Sequence, residues 1–249
     1  MVLLLAGGHE DPNLTVLAQA AQRTNVDLLD LRLPASESRA FCWNPGESAA
    51  RLDGKELTAT AGFIRYDVFG GMQDTRPEVS ARAHAWYQTA LGWLLSEPGI
   101  RMFNRRMSAA ATNKPAALVL AKTDLRNGLA ASPAIVQKRL VAPEVRIYVI
   151  GQSAFAFEVR SNSLDYRVNQ DAELILLPEA PPEISHLRQL MSRLGLDFGA
   201  ADFKTDPDTG HLVFLELNTS PMFARFDQVS QGRLCQVMLQ ELGGLAAND

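Results

Sequence analysis

Asp202 and Glu216 lie on two short runs, Gly199–Thr205 and Leu212–Leu217, joined by Asp206-Pro207-Asp208-Thr209-Gly210. Asp, Pro and Gly so arranged favour a tight reversal, and the two runs read as a β-hairpin. A turn centred near Thr209 sets Asp202 opposite Glu216. Strand side chains alternate between faces. Ala201, Phe203, Val213, Leu215 and Leu217 then share an apolar face, and Asp202, Lys204, Glu216 and Asn218 share the other. Directly opposed carboxylates repel and need a neutralising partner. A hard divalent cation such as Mg²⁺ fits, because carboxylate and amide oxygens are its preferred ligands. Asn218, running into Thr219-Ser220-Pro221, supplies a third oxygen. Lys204 neutralising the pair on a solvated strand accounts for the same pattern.

The elements that must position these groups are legible from periodicity. Val2–Ala6 is a continuous apolar run, as in a strand covered on both faces. Asn13 or Thr15 caps a helix carrying Leu14, Leu17, Ala18 and Ala21, and a second apolar run follows at Val26–Leu31. Strand, helix, strand at this spacing predicts a βαβ unit with a parallel sheet. Asp53-Gly54 marks a hairpin, Gly62–Val68 a strand, Glu78–Leu95 a long helix ended by Pro98-Gly99, and Ile100–Phe103 a short strand. Asn113 caps a further helix, with Pro115 in its first turn. The second half turns antiparallel: Ile135–Leu140, Val145–Ile150 and Ala154–Val159 are short strands, and Glu183–Leu194 is a helix stopped by Gly195. A closing helix is expected over Gln228–Leu242. The fold class is α/β, with a parallel N-terminal domain over 1–112 and an antiparallel α+β domain over 113–249.

Composition limits the alternatives. The chain has 249 residues, 47% hydrophobic and 21% charged, with a formal charge of −4. Such a chain builds a real core, and its mild acidity argues against bulk nucleic-acid affinity. Two cysteines, Cys42 and Cys235, without metal-ligand spacing argue against a disulfide framework or structural zinc and point to a reducing cytoplasm. No run approaches the roughly 20 apolar residues of a membrane span, and the opening apolar run is too short for a secretory segment.

Gly195-Leu196-Asp197-Phe198-Gly199-Ala200-Ala201-Asp202-Phe203 followed by Phe214-Leu215-Glu216-Leu217-Asn218-Thr219-Ser220-Pro221 resembles the C-terminal core of ATP-grasp carboxylate–amine ligases. The similarity is greatest to the branch of ribosomal-protein glutamate ligases and graspetide macrocyclases. The resemblance implies that Asp202, Glu216 and Asn218 hold Mg²⁺ against the phosphates of ATP. Val136–Leu140 and Val145–Gly151 resemble the hinge strand and the following arginine-bearing strand. By that likeness Gln137, Lys138 and Leu140 line the nucleotide, and Arg146 faces phosphate or a substrate carboxylate. Asp165-Tyr166-Arg167-Val168-Asn169 resembles the segment whose arginine and asparagine reach the phosphates, giving Arg167 and Asn169 that role. Guanidinium forks suit oxyanions, although Arg146 could instead pair with Glu158. The N-terminal half resembles the family's pre-ATP-grasp domain, and Asn104 with Asn113-Lys114-Pro115 resembles the junction after it.

One stretch departs from the family. Between Lys122 and Ile135 lie only residues 123–134, whereas a strand–helix–strand unit needs roughly 30 residues. Most of the first, smaller subdomain therefore has no room, and with it goes the usual phosphate lysine; Lys122 and Lys138 are the available substitutes among five lysines. Two functions follow as expectations. One is ATP- and Mg²⁺-dependent joining of a carboxylate to an amine through an acyl phosphate, on a peptide or small natural-product substrate, with a second copy or a second ATP-grasp subunit completing the site. The other is a binding or partner subunit without ligation. Nucleic acid and membrane are not expected partners. Gly7-Gly8 without a longer glycine pattern is a weak dinucleotide signal. His9 lies beyond a strand end where α/β ligands often bind, Ser220 lacks a nearby base, and Met222, Phe223, Arg225 and Phe226 either line an acceptor side or pack.

Overall fold

A computed structural model describes residues 1–33, 40–47, 49–66, 70–108, 138–161 and 172–244. The chain forms two compact units, one of 1–103, 222–227 and 232–249, the other of 104–221 and 228–231. Residues 222–227 and 232–249 belong to the first unit, and the expected 112/113 boundary lies outside the described residues.

The first unit is built on β1 (Val2–Gly8), whose Leu3, Leu4, Leu5 and Ala6 are fully buried, as its unbroken apolar run demands. It pairs in parallel with β2 (Asp27–Leu33) on one side and β6 (Ala61–Ile64) on the other. The expected βαβ unit is completed by α1 (Pro12–Arg23), which buries Leu14, Leu17, Ala18 and Ala21. Its cap is Asp11, whose carboxylate accepts the N–H of Asn13, and neither Asn13 nor Thr15 takes that role. Pro12 explains the shift: it has no N–H to satisfy and fits the first helical turn.

A small antiparallel sheet, β3 (Phe41–Asn44), β4 (Ala49–Leu52) and β5 (Lys55–Glu56), packs Ala50 and Leu52 with Trp93 and Leu94 of α2 (Pro77–Ser96). Asp53 and Gly54, at φ 50° and 80°, make the expected hairpin turn. The strand expected at Ile100–Phe103 is reduced to a single bridge between Ala61 and Arg101.

The second unit is a five-stranded antiparallel sheet in the order β11-β10-β7-β8-β9. Its strands are β7 (Val141–Ile150), β8 (Ser153–Arg160), β9 (Glu173–Leu176), β10 (Phe198–Thr205) and β11 (Leu212–Asn218). One face is covered by α3 (Ile184–Leu194), whose Leu187, Leu190, Met191 and Leu194 pack on Val145, Ile147, Val149, Ala201, Phe203, Phe214 and Leu217. Lys138–Leu140 are coil, not the end of a strand, and 135–137 lie outside the described residues. So do the Asn113 helix and the short 123–134 connection.

The closing helix is broken in two, α4 (Ala224–Val229) and α5 (Arg233–Gly243). Gln231 and Gly232 adopt φ 58° and 83° between them, which no continuous helix tolerates. Among the described residues, no helix is long and apolar enough to cross a membrane.

Candidate active site on the five-stranded sheet

The sheet face away from α3 carries Glu144, Arg146, Asp202, Lys204 and Glu216. Asp202 on β10 lies directly opposite Glu216 on β11, and Ala200 opposite Asn218, as the turn-centred register requires. Nearer the turn the register is offset: Phe203 pairs with Phe214, so Leu215 is the extra residue of a β-bulge. The bulge corrects the expected apolar face. Leu217 joins the core under α3 as expected, but Phe214 takes the place expected for Val213 and Leu215.

On its other side Asp202 is in register with Arg146 of β7, which in turn faces Phe157 of β8. Glu216, Asp202 and Arg146 therefore form a row across three adjacent strands. Arg146 is 4% exposed and Asp202 1%, so each must find a partner within the protein. Arg146 Nη1 lies 3.0 Å and 3.1 Å from the two Asp202 carboxylate oxygens. Its Nε donates to the Tyr148 hydroxyl at 3.2 Å, and its guanidinium carbon lies 5.5 Å from the Tyr148 ring centroid. Tyr148 is itself wedged edge-on against Phe157, at 5.9 Å between centroids.

Glu158 accepts from Arg160 Nε at 2.7 Å, not from Arg146. Lys204 Nζ pairs with Glu144 Oε2 at 3.0 Å, one row nearer the turn.

Asn218 Oδ1 accepts the backbone N–H of Ser220 at 3.1 Å. A carbonyl oxygen has two lone pairs, so this bond leaves acceptor capacity. Two carboxylates in cross-strand register and an amide oxygen two residues further on offer only hard oxygen donors, the type Mg²⁺ prefers. The three are also one residue short of an all-acidic or histidine-bearing cluster, and among the described residues no group of three His, Cys, Asp or Glu side chains is placed to hold a metal.

Asn104 locks the hairpin at its other end. Its Oδ1 accepts the backbone N–H groups of Asp197 and Phe198 at 3.1 Å and 3.0 Å. Its Nδ2 donates to the Phe198 and Thr219 carbonyls at 2.8 Å and 3.1 Å, and its own N–H to Asp197 Oδ1 at 2.6 Å. The start of β10 and the exit of β11 are thus tied through one side chain. Sequence reading placed Asn104 at a junction but had no signal for this role.

The remaining candidates separate clearly. Lys138 Nζ lies 2.6 Å from both Asp206 Oδ1 and Asp208 Oδ2 of the β10–β11 turn. The bond to Asp206 first, then that to Asp208, raises the Lys138 pKa, and Lys138 holds Asp206 below the usual carboxylate range. Gln137, Arg167 and Asn169 lie outside the described residues. Phe223 and Phe226 are buried in the first unit, and Met222 is exposed. Gly7, at φ 144°, approaches the Arg65 carbonyl and Leu14 so closely that a Cβ would come within 2.8 Å of each. Packing therefore accounts for that glycine. His9 and Ser220 are exposed.

The chain shares its fold with ATP-grasp ligases of solved structure. The chain aligns with the ATP-grasp ligase PsnB complexed with minimal precursor, Mg and ADP, at a TM-score of 0.70 and 18% identity, covering 96% of this chain and 97% of that one. It aligns with the macrocyclase MdnC of Microcystis aeruginosa MRC, bound with precursor peptide MdnA, at 0.69 and 15%, covering 99% and 100%. A RiPP-associated ATP-grasp ligase of Chryseobacterium gregarium, in complex with ADP and a leader and core peptide, aligns at 0.64 and 15%, covering 99% and 97%. No protein-family model and no curated protein matches the sequence.

Proposed function

We propose that the protein is an ATP-dependent carboxylate–amine ligase acting on a peptide or small natural-product substrate in the cytoplasm. The observation that carries this reading is the cross-strand set Asp202, Glu216 and Asn218 on an ATP-grasp sheet. In the reaction a substrate carboxylate attacks the γ-phosphorus of ATP, giving an acyl phosphate and ADP. An amine then displaces phosphate to form the amide. Asp202, Glu216 and Asn218 would hold Mg²⁺, which would supply charge neutralisation for the phosphates. By the family resemblance, Arg146 and Arg167 would meet charge on the transferring group, and Gln137, Lys138, Leu140 and Asn169 would line the nucleotide. The peptide substrate is supported by PsnB and MdnC, which are bound to precursor peptides.

The test is ADP release from Mg·ATP with peptide and amine substrates. We expect activity in the wild type and its loss in Glu216→Ala. Calorimetry showing no binding of Mg²⁺ with AMPPNP would overturn the proposal. A second reading, a binding or partner subunit without ligation, is favoured by the short 123–134 connection. It wins if Asp202→Asn and Glu216→Gln leave function unchanged. A second copy or another ATP-grasp chain completing the site would show as activity that depends on protein concentration or on the added partner.

A further inference from the structure

We propose that Arg146 is a built-in counter-ion that competes with the divalent cation for Asp202, so that metal and anionic ligand enter the site together. The inference rests on the reading of Asp202, Glu216 and Asn218 as a Mg²⁺ site and specifies how that site is loaded.

The geometry carries it. Asp202 stands between two charged neighbours in the same cross-strand row, Glu216 on β11 and Arg146 on β7. At 1% exposure its carboxylate cannot rely on water. Arg146 meets both of its oxygens from one nitrogen, at 3.0 Å and 3.1 Å, and is held in that pose by the Tyr148 hydroxyl and ring. A cation at Asp202 thus meets a carboxylate whose oxygens already accept hydrogen bonds and whose neighbour is a fixed positive charge. The effective dielectric at such depth is low, so the repulsion between that charge and a metal ion is poorly screened. Free Mg²⁺ is accordingly held weakly. An oxyanion arriving with the metal changes the balance, because a guanidinium binds phosphate oxygens as well as carboxylate. Arg146 then turns from Asp202 to the incoming anion, and the carboxylate is released to the metal.

A structural ion pair and a competing one respond oppositely to the same variants. Calorimetry with Mg²⁺ alone, then with ADP alone, separates them. In Arg146→Gln we expect Mg²⁺ alone to bind at least ~10-fold tighter than in wild type, and added MgCl₂ to raise its melting temperature more steeply than it raises the wild type's. Arg146→Lys keeps the charge and should stay within about threefold of wild type. In Asp202→Asn, Mg²⁺ binding is lost while metal-free ADP binds several-fold tighter, because the carboxylate no longer competes with the anion for Arg146.

Unchanged or weaker Mg²⁺ binding in a folded Arg146→Gln overturns the proposal. Should that variant not fold, Asp202→Asn decides: metal-free ADP affinity at or below wild type overturns it. These outcomes are distinct from failure of the metal-site reading itself, in which wild-type protein binds neither Mg²⁺ nor Mg·AMPPNP.

Discussion

The side-chain oxygen of Asn13 accepts the backbone N–H groups of Phe223 and Ala224, at 2.6 Å and 2.8 Å, across 210 and 211 residues of sequence. Its amide nitrogen donates to Asp11 Oδ1 at 2.7 Å, and Asp11 Oδ2 accepts from Arg65 Nε at 2.7 Å. Asp11 and Asn13 are fully buried. Asn13→Ala strands two N–H donors and deprives Asp11 of one partner, at a cost of about 2–3 kcal/mol. Urea denaturation followed by circular dichroism should show the midpoint fall with little change in slope. Asn13→Asp should be worse, since it sets a second carboxylate against Asp11.

The latch of Lys138 on Asp206 and Asp208 has a definite pH window. Asp206 is lowered by Lys138, so its contribution is present above the unfolded Asp value near 3.9 and is lost as pH falls through the lower folded value. Lys138 is raised by Asp206 and then Asp208, so its contribution is present below the unfolded Lys value near 10.4 and is lost as pH rises through the higher folded value. Thermal melts of wild type and Lys138→Met should differ by a constant small amount from roughly pH 5 to pH 9 and converge at both extremes. Salt should shrink the difference, because the pair is solvent-accessible.

The two cysteines should react on different timescales. Cys42 is exposed. Cys235 is buried, and burial first, then the neighbouring Asp227 carboxylate, pushes its thiol pKa far up. The thiolate is the reacting species. An aromatic disulfide reagent should therefore release one equivalent quickly and a second only on unfolding. Two fast equivalents would contradict the packing of α5.

Gly195 ends α3 at φ 71°, and a Cβ there would collide with the backbone carbonyl of Arg106. Gly195→Ala should cost about 2 kcal/mol or more, from the left-handed backbone and the displaced carbonyl together. A melting temperature within a degree of wild type would refute this.

Much of this architecture was open to sequence reasoning, for identifiable reasons. The β1 run is apolar throughout, the α3 stripe has helical spacing with a glycine stop, and Asp53-Gly54 has the chemistry of a tight turn. The opposition of Asp202 and Glu216 was also legible. The bulge at Leu215 was not, because Val213, Phe214 and Leu215 are all apolar and carry no alternation to fix a phase. The break at Gln231-Gly232 was not legible because a lone glycine inside a helical stretch is often tolerated, and only the positive φ of Gln231 and Gly232 marks the interruption. The Arg146–Asp202 pair joins residues 56 apart in sequence and became visible only when β7 was placed beside β10. The capping role of Asp11 and the clamp of Asn104 belong to the same kind: short polar side chains whose partners are set by tertiary contact.

The Asn104 clamp also has a consequence for the order of events in folding. Its partners lie 93, 94 and 115 residues ahead of it in the chain. During synthesis Asn104 emerges long before Thr219, and loops of that length must close before any of these bonds can form. The sheet that carries Asp202 and Glu216 is therefore sealed late and from its C-terminal side. Until then, β7 and β8 form a hairpin whose unpaired edge awaits β10, an exposure that invites pairing with other chains.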